Sequence, residues 1–303
     1  MEMTTMYKKS ESVRGHAAAL LTILIWGVTF ISTKILLTAF TPIEILFIRF
    51  LIGYLALWLV CPRRLVLKGF RQEGWFAAAG LCGIALYYLL ENVALTMTRA
   101  SNVGVIISVA PLFTALFSWL FLHGPRPGLP FLTGFVIAIT GVCLLGLGEG
   151  TMSVHPMGDL LAVAAAAVWA VYSMLTKVIG GFGYPVVQAT RRTFFYGLCF
   201  MLPALFMMDT YPELSRFSEP RYIVNLLFLG AGASALCFVT WNAAVRRLGP
   251  IQTSVYIYIV PVITATASAL ILKEPVTAAS AGGIALTLTG LFLSGRGGAE
   301  NGK

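Results

Sequence analysis

The nine residues WGVTFISTK, from Trp26 to Lys34, return as WAVYSMLTK from Trp169 to Lys177, 143 residues further on. The same offset carries Pro42 onto Pro185 and Arg49 onto Arg192. An offset of 150 carries Asn92 onto Asn242, Pro111 onto Pro261 and Pro125 onto Pro275. An offset of 149 then aligns Gly134, Gly141 and Gly146 with Gly283, Gly290 and Gly295. Apolar helices share leucine and alanine through composition alone. Trp, Pro, Arg and Asn are too scarce in such helices for these matches to be compositional, so the chain is one unit repeated.

Composition says what surrounds that unit. Of 303 residues 58% are hydrophobic and 11% charged, against about 25% charged in a soluble domain. A buried core cannot absorb that deficit, so lipid is the main solvent and the bilayer is a partner. Ten stretches reach the roughly 20 apolar residues that a spanning helix needs: 15–39, 43–61, 74–97, 101–122, 130–148, 158–179, 185–207, 221–244, 251–272 and 278–295. The expected fold is an all-α integral membrane protein of ten transmembrane helices. Its units are five-helix repeats over 15–148 and 158–295. An odd number of spans sends the second copy in from the opposite side. The repeats are thus expected to be inverted, about a pseudo-two-fold axis in the membrane plane. Two inverted copies can exchange conformations, which is the physical route to transport by alternating access.

The net charge of +9 invites a nucleic-acid reading. The basic residues, however, sit in short loops between apolar runs, where they set orientation, and no nucleic-acid partner is expected. With the N-terminus inside, 13 Lys and Arg fall on cytoplasmic segments, 5 on outer ends, and Arg49, Arg191 and Arg192 within spans. Both termini are therefore expected in the cytoplasm, with the chain in the inner membrane. The stretch from Ala17 to Phe40 is too long for a signal-peptide core and has no small-residue cleavage site, so it reads as a retained first span.

Five cysteines without CxxC spacing read as buried free thiols, and three scattered histidines make no metal site. No Walker loop, GxSxG elbow, HExxH helix or carboxylate dyad is present, so ATP hydrolysis, the commoner enzyme chemistries and a bound cofactor have no visible basis.

With its paired five-span units, Trp26-to-Lys34 opening, Pro42…Arg49 spacing and proline-bearing fourth and ninth spans, the chain resembles the EamA branch of the drug/metabolite transporter superfamily over about residues 15–295. The resemblance implies export of amino acids and related metabolites. In some members it implies export of metallophores or uptake of vitamins and nucleoside-like compounds. The family pattern often closes span four with a glutamate. This chain has Glu274 in the second half but His123-Gly124 in the first.

Pro111 and Pro261 each fall about ten residues into their spans, near the bilayer midplane. Each frees a carbonyl one turn earlier, which lipid tolerates only where protein or water satisfies it. Paired interruptions of this kind point to a central binding site, with Ser108, Thr253, Tyr256 and Tyr258 as polar neighbours; the alternative is a structural kink. Arg49 and Glu91 lie at similar depth on adjacent spans and are expected to pair. Glu91 is either half of a structural salt bridge or the carboxylate of a coupling proton. Arg192 matches Arg49, but Trp241 stands where Glu91 would recur. Arg191 and Arg192, without an acidic partner in the matching helix, either snorkel to lipid phosphates or make an inner vestibule positive. Trp26, Tyr88, Trp169, Tyr172 and Trp241 sit deeper than an interfacial belt. With Asn92 and Asn242 they form a candidate substrate cavity, the asparagines having helix glue as their rival role. The glycines of spans five and ten read as scaffold or as a homodimer surface.

The expected function is a secondary transporter of a small polar metabolite, an amino acid or similar zwitterion or carboxylate, in the direction of export. An importer or exchanger of a vitamin or nucleoside-like compound remains open, as does a membrane enzyme or receptor without transport.

Overall fold

The structure, a computed structural model, describes residues 2–97, 100–148, 155–207, 214–263, 266 and 277–300. Arg99, Lys273, Glu274, Pro275, Lys303 and the connector residues Asp209, Pro212 and Glu213 lie outside them. The described chain is an all-α bundle. In order it runs α1 (Glu2–Leu36), α2 (Pro42–Val60), α3 (Arg71–Met97), the broken α4 (Ala100–Ile107 and Ala110–Phe121), α5 (Leu129–Gly148) and α6 (Pro156–Gly181). After these come α7 (Val186–Met207), α8 (Pro220–Leu248), α9 (Pro250–Ile263) and α10 (Ala278–Glu300). Among the described residues, six helices are long and apolar enough to cross a membrane. They are α1, α2, α3, the Val103–Phe121 stretch of α4, α6 and α8, with mean hydropathy of 1.5 to 2.1. α5, α9 and α10 hold shorter apolar stretches.

Helix ends follow local chemistry. Thr41 opens α2 with a reciprocal cap: its hydroxyl accepts from the Glu44 N–H, and the Glu44 carboxylate accepts from the Thr41 N–H at 2.7 Å. His155 caps α6, its Nδ1 accepting from the Gly158 N–H. α4 closes at His123, whose φ of 50° is left-handed, with the Gly124 N–H donating to the Ser118 carbonyl at 3.0 Å. The position lacking the expected acid is thus a left-handed helix cap.

The irregularities recur at one spacing. α3 widens into a π-helical stretch at Leu81–Leu86, and α8 does the same at Phe228–Leu236. The two stretches end 150 residues apart. α4 breaks at Ser108 and Val109; α9 tightens into a 3-10 turn at Val255–Tyr258, again about 150 residues on.

Without a hydrophobic force between helices in lipid, close contact depends on small residues. A Cβ on Gly134 would meet the Gly290 carbonyl at 2.8 Å, and one on Gly141 would meet the Gly283 carbonyl at 2.7 Å. As one number rises the other falls, so α5 and α10 lie antiparallel with backbones touching. Gly134, Gly141, Gly283 and Gly290 are therefore spent inside the chain, against each other, whereas a Cβ on Gly295 would meet nothing within 4 Å. Similarly, α3 approaches α7 at Gly80 and Gly197, and α8 approaches α2 at Gly230 beside the Arg49 carbonyl.

All five cysteines are free thiols. Only Cys237 is buried, and Cys199 is exposed. The expectation of uniformly buried thiols fails because much of a span's surface faces lipid rather than protein.

Candidate functional site

Trp26 and Trp169, the counterparts that open the two repeated stretches, meet at the centre of the bundle with ring centroids 5.3 Å apart. Trp241 completes a trio, 5.2 Å from Trp26 and 5.8 Å from Trp169. Trp26 is anchored by its indole N–H, which donates to the Ala233 carbonyl at 2.9 Å. Beside the trio lies a cavity of about 60 Å³, room for about four waters. Of the sequence candidates it is lined by Trp26, Arg49, Tyr88, Glu91, Asn92, Ser108 and Trp169.

The other candidates lie elsewhere. Trp241 is fully buried behind the two cavity tryptophans. Tyr172 donates to Asn242 Oδ1 at 2.8 Å, and Asn242 Nδ2 donates to Thr190. Asn242, with Thr176, Thr193 and Arg246, lines a second, lesser cleft of about 20 Å³. Tyr256 bonds His16 Nδ1 at 2.8 Å, and Tyr258 packs with Ala115, Phe131 and Ala138 toward α5. The 3-10 turn between them gives the wall position to Ile257 instead. Pro111 and Pro261 do not face the cavity themselves. The residues whose carbonyls they release, Ile107 and Ile257, both do.

Arg49 and Glu91 make no direct ion pair. Arg49 Nε donates to Ser234 Oγ at 3.0 Å, and its guanidinium lies 4.6 Å from the centre of the Tyr88 ring. Glu91 Oε1 accepts from the Tyr87 hydroxyl at 3.3 Å. Equal depth brought the two charges to one cavity, but α8 and the tyrosines hold each on its own wall. Asn92 lines the cavity and donates to the Pro42 carbonyl at 3.3 Å.

Neither internal arginine of α7 is free. Arg192 forms a two-point bond with Glu73 at the start of α3, which also accepts from the Tyr196 hydroxyl at 2.6 Å. Arg191 donates to the carbonyls of Cys61 and Arg63. The acid sought for Arg192 sits at the far end of α3 from Glu91, in the first turn of the helix.

Thr29, Thr33, Tyr87, Ile107 and Ile257 line the cavity without having been singled out. Helical spacing held the signal: Thr29 and Thr33 follow Trp26 by three and seven residues, and Tyr87 precedes Glu91 by four. Among the described residues no cluster of His, Cys, Asp and Glu could hold a metal ion.

A multi-pass helical bundle with a charged, aromatic cavity at its centre and broken helices beside it is the build of a small-molecule transporter. The sequence pattern of the EamA-like transporter family matches residues 13–147 and again 156–296, and the chain belongs to that family. It is 28% identical to an uncharacterized transporter of Archaeoglobus fulgidus, across 92% of this chain and 96% of that one. It is 26% identical to a probable terminal-alkyne amino-acid exporter of Streptantibioticus cattleyicolor, across 92% of each. A chain of known crystal structure shares the fold with a TM-score of 0.74 at 21% identity, covering 94% of this chain and 98% of that one.

Proposed function

We propose that the protein exports a small amino-acid-like metabolite across the inner membrane by alternating access, its ten helices forming two inverted five-helix repeats over 15–148 and 158–295. The observation that carries this reading is the meeting of counterparts. Residues related by a two-fold axis touch their own mates only near that axis, and any contact between i and j recurs between their mates. Trp26 meets Trp169. The Gly134–Gly290 contact has Gly141–Gly283 as its mate, and the helices that make it are antiparallel, which supports an inverted relation rather than a translated one.

The two clefts support the alternation. Thr33 and Asn92 line the larger, and their counterparts Thr176 and Asn242 line the lesser. One sequence pattern thus supplies a wider cleft between the repeats and a narrower one within the second. Both termini on the cytoplasmic side follow from the Lys and Arg bias, and reporter fusions at each end test that assignment.

The amino-acid assignment draws on the exporter named above and on a cavity carrying both signs of charge. The test is efflux from liposomes holding the purified protein and a panel of amino acids. Release above protein-free liposomes is expected for at least one. Absence of flux for the whole panel, in protein that remains folded, would overturn the substrate assignment.

A further inference from the structure

Arg49 and Glu91 line one cavity without a direct ion pair. Resting on the transport reading above, we propose that they are the two poles of a zwitterion site: the substrate carboxylate docks on the terminal amino groups of Arg49, and its ammonium on Glu91. Arg49 is 4% exposed, yet among the described residues only its Nε is hydrogen-bonded, to Ser234. Its four terminal N–H donors are unspent. Glu91 is 7% exposed and gives one oxygen to Tyr87, leaving the other unspent. A membrane interior does not leave two charges half-satisfied without cost. The arrangement is completed by a guest that bears both opposite charges.

The surroundings keep the poles apart. The Ser234 hydroxyl holds the guanidinium toward α8, and the Tyr88 and Phe50 rings lie 4.6 and 5.3 Å from it. Glu91 is held by a tyrosine on its own helix. Ser234 and Tyr88 are thus positioning residues: they prevent Arg49 from collapsing onto Glu91 and closing the site. A third unspent group adds to the carboxylate side of the reasoning. Trp169 lines this cavity, and its indole N–H is buried without a partner among the described residues; such a group can donate to an oxygen but not to an ammonium. Beside the polar Thr29, Thr33, Asn92 and Ser108, the wall has an apolar part in Trp26, Leu95, Ile107 and Ile257 that suits a hydrocarbon body.

The site therefore selects for the presence of both charges on one small molecule. The experiment uses three matched sets in proteoliposome competition: alanine, leucine and phenylalanine, each against the amine lacking its carboxylate and the acid lacking its ammonium. At least one zwitterion is expected to compete about tenfold better than both of its singly charged analogues, the loss of one charge-assisted contact. Arg49→Gln should erase the penalty on the amine, and Glu91→Gln the penalty on the acid. Ser234→Ala, which frees Arg49 to pair with Glu91, should shrink the zwitterion's advantage over both analogues. Flux in which amines or acids match their zwitterions overturns the two-pole site while leaving transport standing. Absence of flux from every compound overturns both.

Discussion

Glu73→Gln removes one charge from the contact that ties the start of α3 to α7. The Glu73 carboxylate takes two donors from Arg192 and one from Tyr196. Beside it Tyr184, which lines the lesser cleft, donates to Gln72 at 2.6 Å and accepts from the Lys68 N–H. The side chains of Arg192 and Glu73 are 34% and 21% exposed. That places the pair between a surface bridge, worth about 0.2–1 kcal/mol, and a buried one, whose breakage costs about 3–5 kcal/mol. Glutamine keeps the shape and one hydrogen bond, so a loss of about 1.4 kcal/mol is the reasonable figure, equal to a tenfold shift in a two-state equilibrium. If this contact holds the lesser cleft narrow, the variant opens that cleft about ten times more often. A single cysteine placed at Thr176, in a background lacking the five native ones, would report it through its reaction with a membrane-impermeant thiol reagent in inside-out vesicles. Labelling should quicken about tenfold in Glu73→Gln and in Arg192→Gln, with no further gain in the double variant. An unchanged rate in folded Glu73→Gln protein would refute the contact as a closure.

Gly290→Ala should destabilise the protein by about 1–3 kcal/mol, because its new carbon would fall 2.3 Å from the Ala138 backbone nitrogen. Gly282→Ala, meeting only a Leu144 side chain at 3.5 Å, should be neutral or slightly stabilising; thermal unfolding in detergent compares the two, and equal behaviour would refute the backbone contact between α5 and α10. Glu91→Gln should abolish any dependence of flux on an imposed proton gradient, since Glu91 is the buried carboxylate on the cavity wall; gradient-driven flux that persists would remove Glu91 from coupling.

The bundle was legible in the sequence because rare residues mark it. Trp26, Trp169, Arg49 and Arg192 cannot recur by composition, whereas the matching π-helical stretches of α3 and α8 leave no comparable trace. Depth along a span was also legible, and it brought Arg49 and Glu91 to the same cavity. Rotation was not. Whether Arg49 reaches Glu91 or Ser234 depends on how α2 meets α8, which Gly230 decides from 181 residues away. Tyr256 and Tyr258 show the same limit: polarity near a proline suggested them, but the local 3-10 turn put Ile257 on the wall. Glu73 is not legible as a partner because a carboxylate at a helix start ordinarily faces water. Here Arg192 and Tyr196 of α7 cover it.

The three indoles at the centre of the bundle give the protein an optical gauge of its own. Tryptophan emission responds to the wetness and proximity of neighbouring rings. Trp26 and Trp169 border the cavity while Trp241 is sealed behind them, so a solute entering that space perturbs two emitters and spares the third. Trp58, Trp75 and Trp119, each more than a third exposed at the periphery, add a steady background. Occupancy of the cavity can therefore be followed by light alone, without attaching a dye.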